Sequence, residues 1–557
     1  MMEFIDKIKN FLIGNRWKYI LVITFINIIA YIYNLISYQT LAKFINTHTL
    51  ISSNITFVFS TFFIKMLMIH MVEYGTSFLL ERQVLYIVRG IFKNLITKII
   101  SFKLKYFKDN STSKINQLWY YLGSVEYIIE KIILEVPRNL IYILFYIKLL
   151  YYFSPLALTF AIPSNILLIL LQQPMIEKQH EYQEERTDID LISKNRFLET
   201  TSNIEYVKLK NQQNCEIDKI TSTYDKYIDN KILDLSVSHM ISYTSKIFNN
   251  LLTLVIYSIG FKFLISNNIT PAELIYLGTQ THMFYFKLRD MIDIYNQYKR
   301  KQSRINIIYN ILTSNDIEIV NKPTNEILSN FDIEFKNVTF GYKKNVNILS
   351  NTNIKFYNKK INLLIGPNGS GKSTVIKLLL GLYDLENINS NSNIITIDGY
   401  NIQNLSKWEI RNKISFVSQD PNIFDDTVMN NVRYGYTDDY EYDKKVFNYS
   451  DLLDLGEWII TNSNKICGFM GKNLSGGEKK KIQLLNAICS KSSVIIFDEP
   501  SNALDKVALE WFKTFAKQLR DKYGKTIIII THDARLIELS DHTVDMLLHV
   551  TPNKNLG

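Results

Sequence analysis

Gly366, Gly371, Lys372 and Ser373 stand in the spacing G-x-x-x-x-G-K-[ST], inside the stretch LIGPNGSGKSTVIKLLLG at 364–381. An apolar run, INLLI, precedes them and a helix-forming run, TVIKLLLG, follows. Glycines at this spacing let the backbone curl, so that successive N–H groups and the helix N-terminus face an anion. Residues Gly366, Pro367, Asn368, Gly369, Ser370, Gly371, Lys372, Ser373 and Thr374 therefore form a candidate cradle for the phosphates of a nucleotide. Lys372 would reach the β- and γ-phosphates and Ser373 would ligate Mg2+. Farther along, SSVIIFDEP ends in Asp498 and Glu499. Asp498 suits support of Mg2+ and Glu499 suits polarising an attacking water. An acidic pair after a strand reads equally as a surface turn when it stands alone; behind a phosphate cradle it gains weight. TIIIITHD then brings His532 to a strand end, where it could touch the γ-phosphate, although a lone histidine there is more often structural.

Positioning these groups takes a sheet. INLLI, VIIF and TIIII are continuous apolar runs, the pattern of parallel strands buried on both faces, and ligands of such sheets bind at the carboxyl ends of the strands. A second anion-holding turn, NLSGGEKKK, supplies Leu474, Ser475, Gly476, Gly477 and Glu478 just before another helix-forming run. One nucleotide does not need two cradles.

The rest of the chain has a different texture. Averaged over 557 residues, 47% hydrophobic and 21% charged would suit a soluble protein, but the apolar residues crowd into the first half. No charge occurs from Tyr19 to Ala42, and the uncharged run from Leu149 to Ile176 is split by Ser154-Pro155. Shorter uncharged runs lie at 247–261 and 274–286, and 54–80 is apolar apart from Lys65, His70 and Glu73. A bilayer core of about 30 Å needs roughly 20 helical residues. Spans are expected near 17–40, 55–80, 133–153, 155–175, 240–264 and 271–293, with 81–132 and 176–239 as helices continuing past the membrane surface. Buried helices of a soluble protein are the rival reading, but they need uncharged runs of this length inside a water-soluble core. Lys and Arg collect before the first span, between the second and third, and after the sixth, which puts both termini and the cradle on the positive, ATP-rich inner side. The net charge of +10 is thereby assigned to the bilayer rather than to nucleic acid, since no basic stripe interleaved with aromatics occurs in the second half. Lys65, His70 and Glu73 at membrane depth need pairing or a wet cavity, unless a tilted helix carries them to an interface. Cys215, Cys467 and Cys489 lack metal-ligand or disulfide spacing, and the first residues lack a secretory or transit pattern.

With two anion turns behind membrane spans, the chain resembles the ATP-binding cassette transporter family, in which LSGGQ of one subunit closes over ATP held by another. The resemblance covers essentially the full chain and is to the exporter type, a half-transporter with six spans fused ahead of one cassette. It implies an all-α six-helix transmembrane domain (1–312), a linker (313–330), and an α/β P-loop cassette with a β-subdomain and a helical subdomain (331–557). It also implies ATP and Mg2+ as cofactors, an ATPase activity, a second half-transporter as partner (the same chain or a different one), and a transported small molecule, lipid or peptide. By motif, Tyr342 in VTFGY would stack on adenine, although a tyrosine there reads equally as core. Gln419 in ISFVSQD would sense Mg2+ and the attacking water, Leu474–Glu478 would bind the partner's ATP, and Asp505 in SNALD would link the two sites. Residues 199–220 and SGGEK are similar to the mitochondrial-type half-exporters, which move glutathione-linked sulfur compounds. That subfamily lines its cavity with arginines near this helix, whereas MIEKQHEYQEERTDIDL at 175–191 offers only Lys178 and Arg186. Two further departures stand out: Glu478 replaces the usual Gln, and Gly468-Phe469-Met470-Gly471 replaces the usual G-E-R-G. An ATP-gated channel or regulatory membrane subunit remains the alternative, and a soluble nucleic-acid ATPase is opposed by the spans.

Overall fold

The structure, a computed structural model, describes residues 16–44, 52–109, 112–153, 155–266, 269–318, 331–343, 346–385, 393–435, 446, 455–502 and 506–548. Asp505, Ser154, most of the expected linker and the first residues of the chain lie outside these. The chain divides into two compact units, Met1–Ile100 with Thr112–Ser314, and Ser101–Ser111 with Asn315–Gly557. The sequence reading assigned 101–111 to the membrane domain; by contacts it groups with the second unit.

The first unit is helical. Its main helices are α1 (Arg16–Phe44), α2 (Ser52–Ile100), α4 (Thr112–Glu130), α5 (Val136–Phe153), α6 (Pro155–Ser202), the short α7 (Ile204–Leu209), α8 (Gln213–Ile265) and α9 (Pro271–Thr313). A helix thus stands at each of the six expected spans. Among the described residues, four are long and apolar enough to cross a membrane by length and composition: Lys18–Ser37, Ser60–Ile100, Pro155–Ser202 and Gln213–Ile265. The other two are diluted by polar groups, Arg138, Asn139 and Lys148 in α5, and Lys287, Arg289, Asp290 and Asp293 in α9. At about 1.5 Å per residue, the 48 residues of α6 and the 53 of α8 outrun a bilayer more than twofold. Helix α9 begins where Thr270 and Glu273 cap each other reciprocally, with Pro271 at the first helical position. Tyr146, Phe284, Ala157, Ala161 and Ile256 are buried where α5, α6, α8 and α9 meet.

Polar residues tie α1, α2 and α5 together. Arg138 donates through Nε to Asn27 Oδ1 (2.9 Å) and through Nη2 to Ser77 Oγ (2.6 Å), and Asn27 donates to Thr76 Oγ1 (2.6 Å). Two turns on along α1, Asn34 Nδ2 lies 3.1 Å from both oxygens of Glu73, and His70 Nδ1 lies 3.4 Å from Glu73 Oε2. Lys65 sits over the Tyr33 ring at 4.6 Å. His70 and Glu73 are therefore paired with each other and with Asn34, beside a second polar group of Asn27 and Arg138, neither of which the charge pattern singled out.

The second unit carries two sheets. Strands β1 (Ile333–Phe340), β2 (Leu349–Phe356), β4 (Ile394–Ile397) and β5 (Tyr400–Asn401) form an antiparallel sheet in the order β2-β1-β4-β5. Strands β6 (Ile414–Val417), β7 (Val494–Asp498), β8 (Thr526–Thr531), β3 (Ile361–Ile365) and β9 (His542–Asp545) form a parallel sheet in that order. Side chains of the parallel strands alternate between two buried clusters: Leu363, Ile495, Phe497 and Ile529 join one, Leu364, Ile496, Ile528 and Ile530 the other. Both faces are thus covered, which is why these strands read as unbroken apolar runs. The fold is a helical membrane region followed by an α/β cassette.

Within this unit, residues 101–103, which lead into the short α3 (Leu104–Asp109), run beside 316–318. Phe102 bridges Ile317 and the Glu318 amide donates to Ser101 O (2.6 Å). Lys103 pairs with Asp384 (2.9 Å), which also pairs with Lys407 (2.8 Å), and Arg411 grips both carboxylate oxygens of Glu318 (2.6 and 3.0 Å). Burial alone would raise the carboxyl pKa of Asp384 and Glu318, but the hydrogen-bonded cations win and hold both below their usual range.

Candidate functional site

The strand order of the parallel sheet brings the ends of β7, β8 and β3 side by side, and the candidate residues sit there. β3 runs into the cradle, which closes into α10 (Lys372–Leu379) with Gly371 as its N-cap at φ +94°. Gly366 and Gly369 also take positive φ, a conformation that costs an L side chain about 1–2 kcal/mol. Space is tight as well: a Cβ on Gly366 would come within 2.8 Å of Ser370 Oγ, and one on Gly371 within 2.8 Å of Leu349 Cδ2. A cavity of about 290 Å3 opens here, lined by Asn368–Thr374, Ile348, Gln419, Asp498 and Glu499.

Two groups of the cradle stand out. Lys372 is buried and folds back on its own loop, donating from Nζ to Gly366 O (2.6 Å) and Pro367 O (3.1 Å). Ser370 Oγ is buried with no hydrogen-bond partner. A curled loop with an inturned cation and an orphaned hydroxyl fits a polyphosphate, which would draw Lys372 outward. Ser373, Gln419 and Asp498 offer a hydroxyl, an amide and a carboxylate to the same space. That small oxygen set suits Mg2+, which takes one or two protein ligands and completes its shell with phosphate and water. Among the described residues no cluster of three or more His, Cys, Asp or Glu could hold a metal, so phosphate oxygens would have to share the ion.

The acidic pair splits into two environments. Burial raises the Asp498 carboxyl pKa, the neighbouring Glu499 raises it further, and Lys372 opposes both. Its charge is thus costly until a cation arrives. Glu499 turns the chain out of β7 in the left-handed region, at φ +48°, a strained conformation for a non-glycine residue at a site of chemistry. Its buried carboxylate lies 2.9 Å from His532 Nδ1 and accepts a longer bond from Thr531 Oγ1 (3.4 Å). His532 therefore orients Glu499 from the end of β8, a role its sequence position did not reveal. Thr531 was missed altogether, because a threonine ending an apolar strand carries no signal of its own.

Tyr342 is not among the residues lining the cavity. Its hydroxyl lies 3.2 Å from Thr374 Oγ1, and its ring packs edge-on against Phe340 and Tyr383. Nor does the second anion turn line it. After α11 (Lys407–Lys413), α12 (Val428–Val432) and α13 (Gly456–Asn462), Ser475 caps α14 (Gly476–Cys489): its Oγ accepts from the Glu478 amide (3.2 Å) while its own amide donates to Glu478 Oε2 (2.7 Å). Lys465 Nζ donates to Glu478 Oε1 (2.8 Å). These bonds, Lys465 first and the Ser475 amide next, hold the Glu478 carboxyl at about 2. Phe469 and Met470 are exposed, and Met470 takes φ +53°.

The ABC transporter transmembrane region family matches residues 17–288 and the ABC transporter family matches 349–502. The chain is 27% identical over 357 residues to the mitochondrial iron-sulfur clusters transporter ATM1 of Debaryomyces hansenii, a match covering 62% of this chain and 50% of that protein. It is 29% identical over 260 residues to the ATP-dependent lipid A-core flippase of Escherichia coli strain K12, covering 46% of this chain and 43% of that one. The chain thus spans about half the length of the curated relatives it matches. The structure of a bacterial Atm1-family ABC exporter with ATP bound aligns with a TM-score of 0.78 at 19% identity, over 96% of this chain and 94% of that one. That likeness speaks to the fold. With the two family matches covering most of the chain, and the cradle, acidic pair and signature turn falling in or beside the second, the chain belongs to the ABC transporter family, a membrane region and a cassette in one polypeptide.

Proposed function

We propose that this protein is an ATPase that exports a solute across a membrane, working as a pair of half-transporters with two ATP molecules sandwiched between facing cassettes. The observation that carries this is the separation of two anion-binding elements: the cradle cavity holds Lys372, Asp498 and Glu499, whereas Ser475 and Gly477 lie outside it on their own helix N-terminus. Such a unit is half of a site on each side, so a second cassette completes it. Ser373, Gln419 and Asp498 would hold Mg2+, which would supply neutralisation of the charge that develops on the phosphates. Lys372 holds the β- and γ-phosphates, Ser370 and the loop amides cradle them, and Gln419 orients the water. Glu499, itself oriented by His532, accepts the water's proton. Nucleotide binds the closed pair better than the open one, so binding shifts the equilibrium toward closure and hydrolysis resets it. Asp505 is assigned the link between the two sites, and Tyr342 a place beside adenine.

The solute is read more finely as a glutathione-linked sulfur compound, supported by the printed function of the ATM1 relatives and opposed by that of the flippases. The inward-facing α6 offers little excess positive charge for it, since Arg186 is engaged by Asp234 at 2.8 Å. Six spans, inner termini and an ATP-rich inner cassette follow from the charge pattern. Vesicles containing the protein should show ATP-dependent solute uptake, with glutathione conjugates tried first, and no passive ion current. ATP-gated ionic current without uptake would instead establish a channel.

A further inference from the structure

The signature turn carries a carboxylate where a phosphate is to arrive. Glu478 stands in the first turn of α14, and its charge would oppose any anion approaching Ser475 and the first amides of that helix. Both of its oxygens are engaged, Oε2 by the Ser475 amide and Oε1 by Lys465. The three lysines that follow are aimed elsewhere: Lys479 Nζ donates to Met470 O (3.0 Å), Lys480 Nζ to Asn502 O (3.3 Å), and Lys481 lies over the Trp458 ring. Among the described residues, Lys465 is the cation paired with Glu478. Its own backbone is fixed: the Lys465 amide donates to Asn462 O (2.9 Å), its carbonyl accepts from Val428 N (3.0 Å), and Ile466 bridges Thr427. Ser475 Oγ accepts from the Glu478 amide, and the Ser475 hydroxyl also bonds the Glu478 side chain, so Lys465 competes with that hydroxyl for the carboxylate.

We propose that Lys465 is a positioning residue of the signature turn: it neutralises Glu478 and leaves the Ser475 hydroxyl and the α14 amides able to receive a phosphate. This rests on the reading that the turn closes over ATP held by a second cassette. A glutamine at 478 would cap the helix equally well without the charge, so Lys465 is required only because this chain has Glu478.

The test is ATP hydrolysis by the full chain in lipid discs, comparing Lys465→Ala in the Glu478 background with Lys465→Ala in a Glu478→Gln background. In the first, kcat/KM for ATP should fall on the order of tenfold, and less so at about 0.5 M salt; in the second, the same change should cost less than about twofold. Lys465→Arg should restore the first. Equal losses in both backgrounds, or no loss in either, overturn the assignment, because a purely structural lysine would matter regardless of residue 478. Ser475→Arg, which fills the turn, separates the layers. If it abolishes hydrolysis while Lys465→Ala has no effect, only the role of Lys465 falls; if hydrolysis survives Ser475→Arg, the signature reading falls and takes the proposal with it.

Discussion

Glu499→Gln separates a base from a structural carboxylate, and the structure sets the two magnitudes. The amide keeps the shape and the left-handed backbone of Glu499, so packing is unchanged. What it loses is one acceptor: His532 Nδ1 lies 2.9 Å from the carboxylate and Thr531 Oγ1 is 3.4 Å away, and a glutamine oxygen can serve one donor well. One weakened hydrogen bond costs about 0.5–1.5 kcal/mol, enough to lower the unfolding temperature by a few degrees and no more. Loss of a general base costs about 10²–10⁴ in rate, or roughly 3–5 kcal/mol of barrier. Removing the charge of Glu499 also relieves Asp498, whose carboxyl it pushes up, so ATP·Mg2+ affinity should hold or improve. Phosphate release under saturating ATP, with retained nucleotide counted on the purified protein, reads both. The expected result is release slowed at least a hundredfold with ATP trapped in a paired species. Release within about fivefold of wild type, the scale of the lost hydrogen bond alone, would remove Glu499 from the chemistry.

Lys372→Ala should abolish ATP hydrolysis while leaving membrane insertion intact; unchanged hydrolysis would move the cradle elsewhere. Gly371→Ala combines a left-handed φ of +94° with a Cβ 2.8 Å from Leu349 Cδ2, so it should cost about 1–2 kcal/mol in stability from the backbone alone. It should also weaken nucleotide binding, read by thermal unfolding with and without ATP. Folding lowers the carboxyl pKa of Glu478 from 4.5 to about 2, chiefly through Lys465, and that of Asp533 from 3.8 to about 2, chiefly through Arg535. A depressed carboxyl stabilises the folded state fully above its unfolded pKa and loses that contribution as pH falls through the folded one. Thermal stability of the full chain in detergent should therefore drop between pH 4.5 and about 2, and less steeply in Glu478→Gln; an unchanged slope would refute the pairing.

The cradle was legible because its chemistry is local. Four residues at fixed spacing dictate a backbone path, and INLLI before them can only be a strand covered on both sides. Asp498 and Glu499 were legible by the same logic, as the polar end of an apolar strand. Thr531 and the orienting contact of His532 were not, because they depend on β8 lying beside β7, a pairing between segments about thirty residues apart that no spacing rule encodes. Lys465 is a sharper case. It lies thirteen positions from Glu478 with no helical period between them, so only the folded turn brings them together. Segment 101–111 shows the two kinds of information diverging: chain continuity and the transmembrane-region match over 17–288 place it with the membrane helices, whereas Phe102 and Lys103 find their contact partners at Ile317 and Asp384.

The membrane unit shows how far charge alone can mislead about polarity in an apolar setting. Counting charges singled out Lys65, His70 and Glu73 on α2 and left open whether they sat in a path or at an interface. The structure draws α1 and α5 into the same arrangement through neutral residues: Asn34 binds both oxygens of Glu73, and Asn27 accepts from Arg138 while donating to Thr76. An asparagine in an apolar run breaks no charge rule, yet in a low-dielectric setting its amide gains from a partner, and the Nδ2 groups of Asn27 and Asn34 find theirs on α2 while Asn34 Oδ1 stays buried without one. Asparagine is abundant in this chain, which hid the two that matter among many that do not. What distinguishes Asn27 and Asn34 is their spacing of seven, two helical turns on one face of α1. That face looks toward α2 at Thr76 and Glu73, so the period of the buried polar groups, rather than the count of charges, carries the information about which helices pack together.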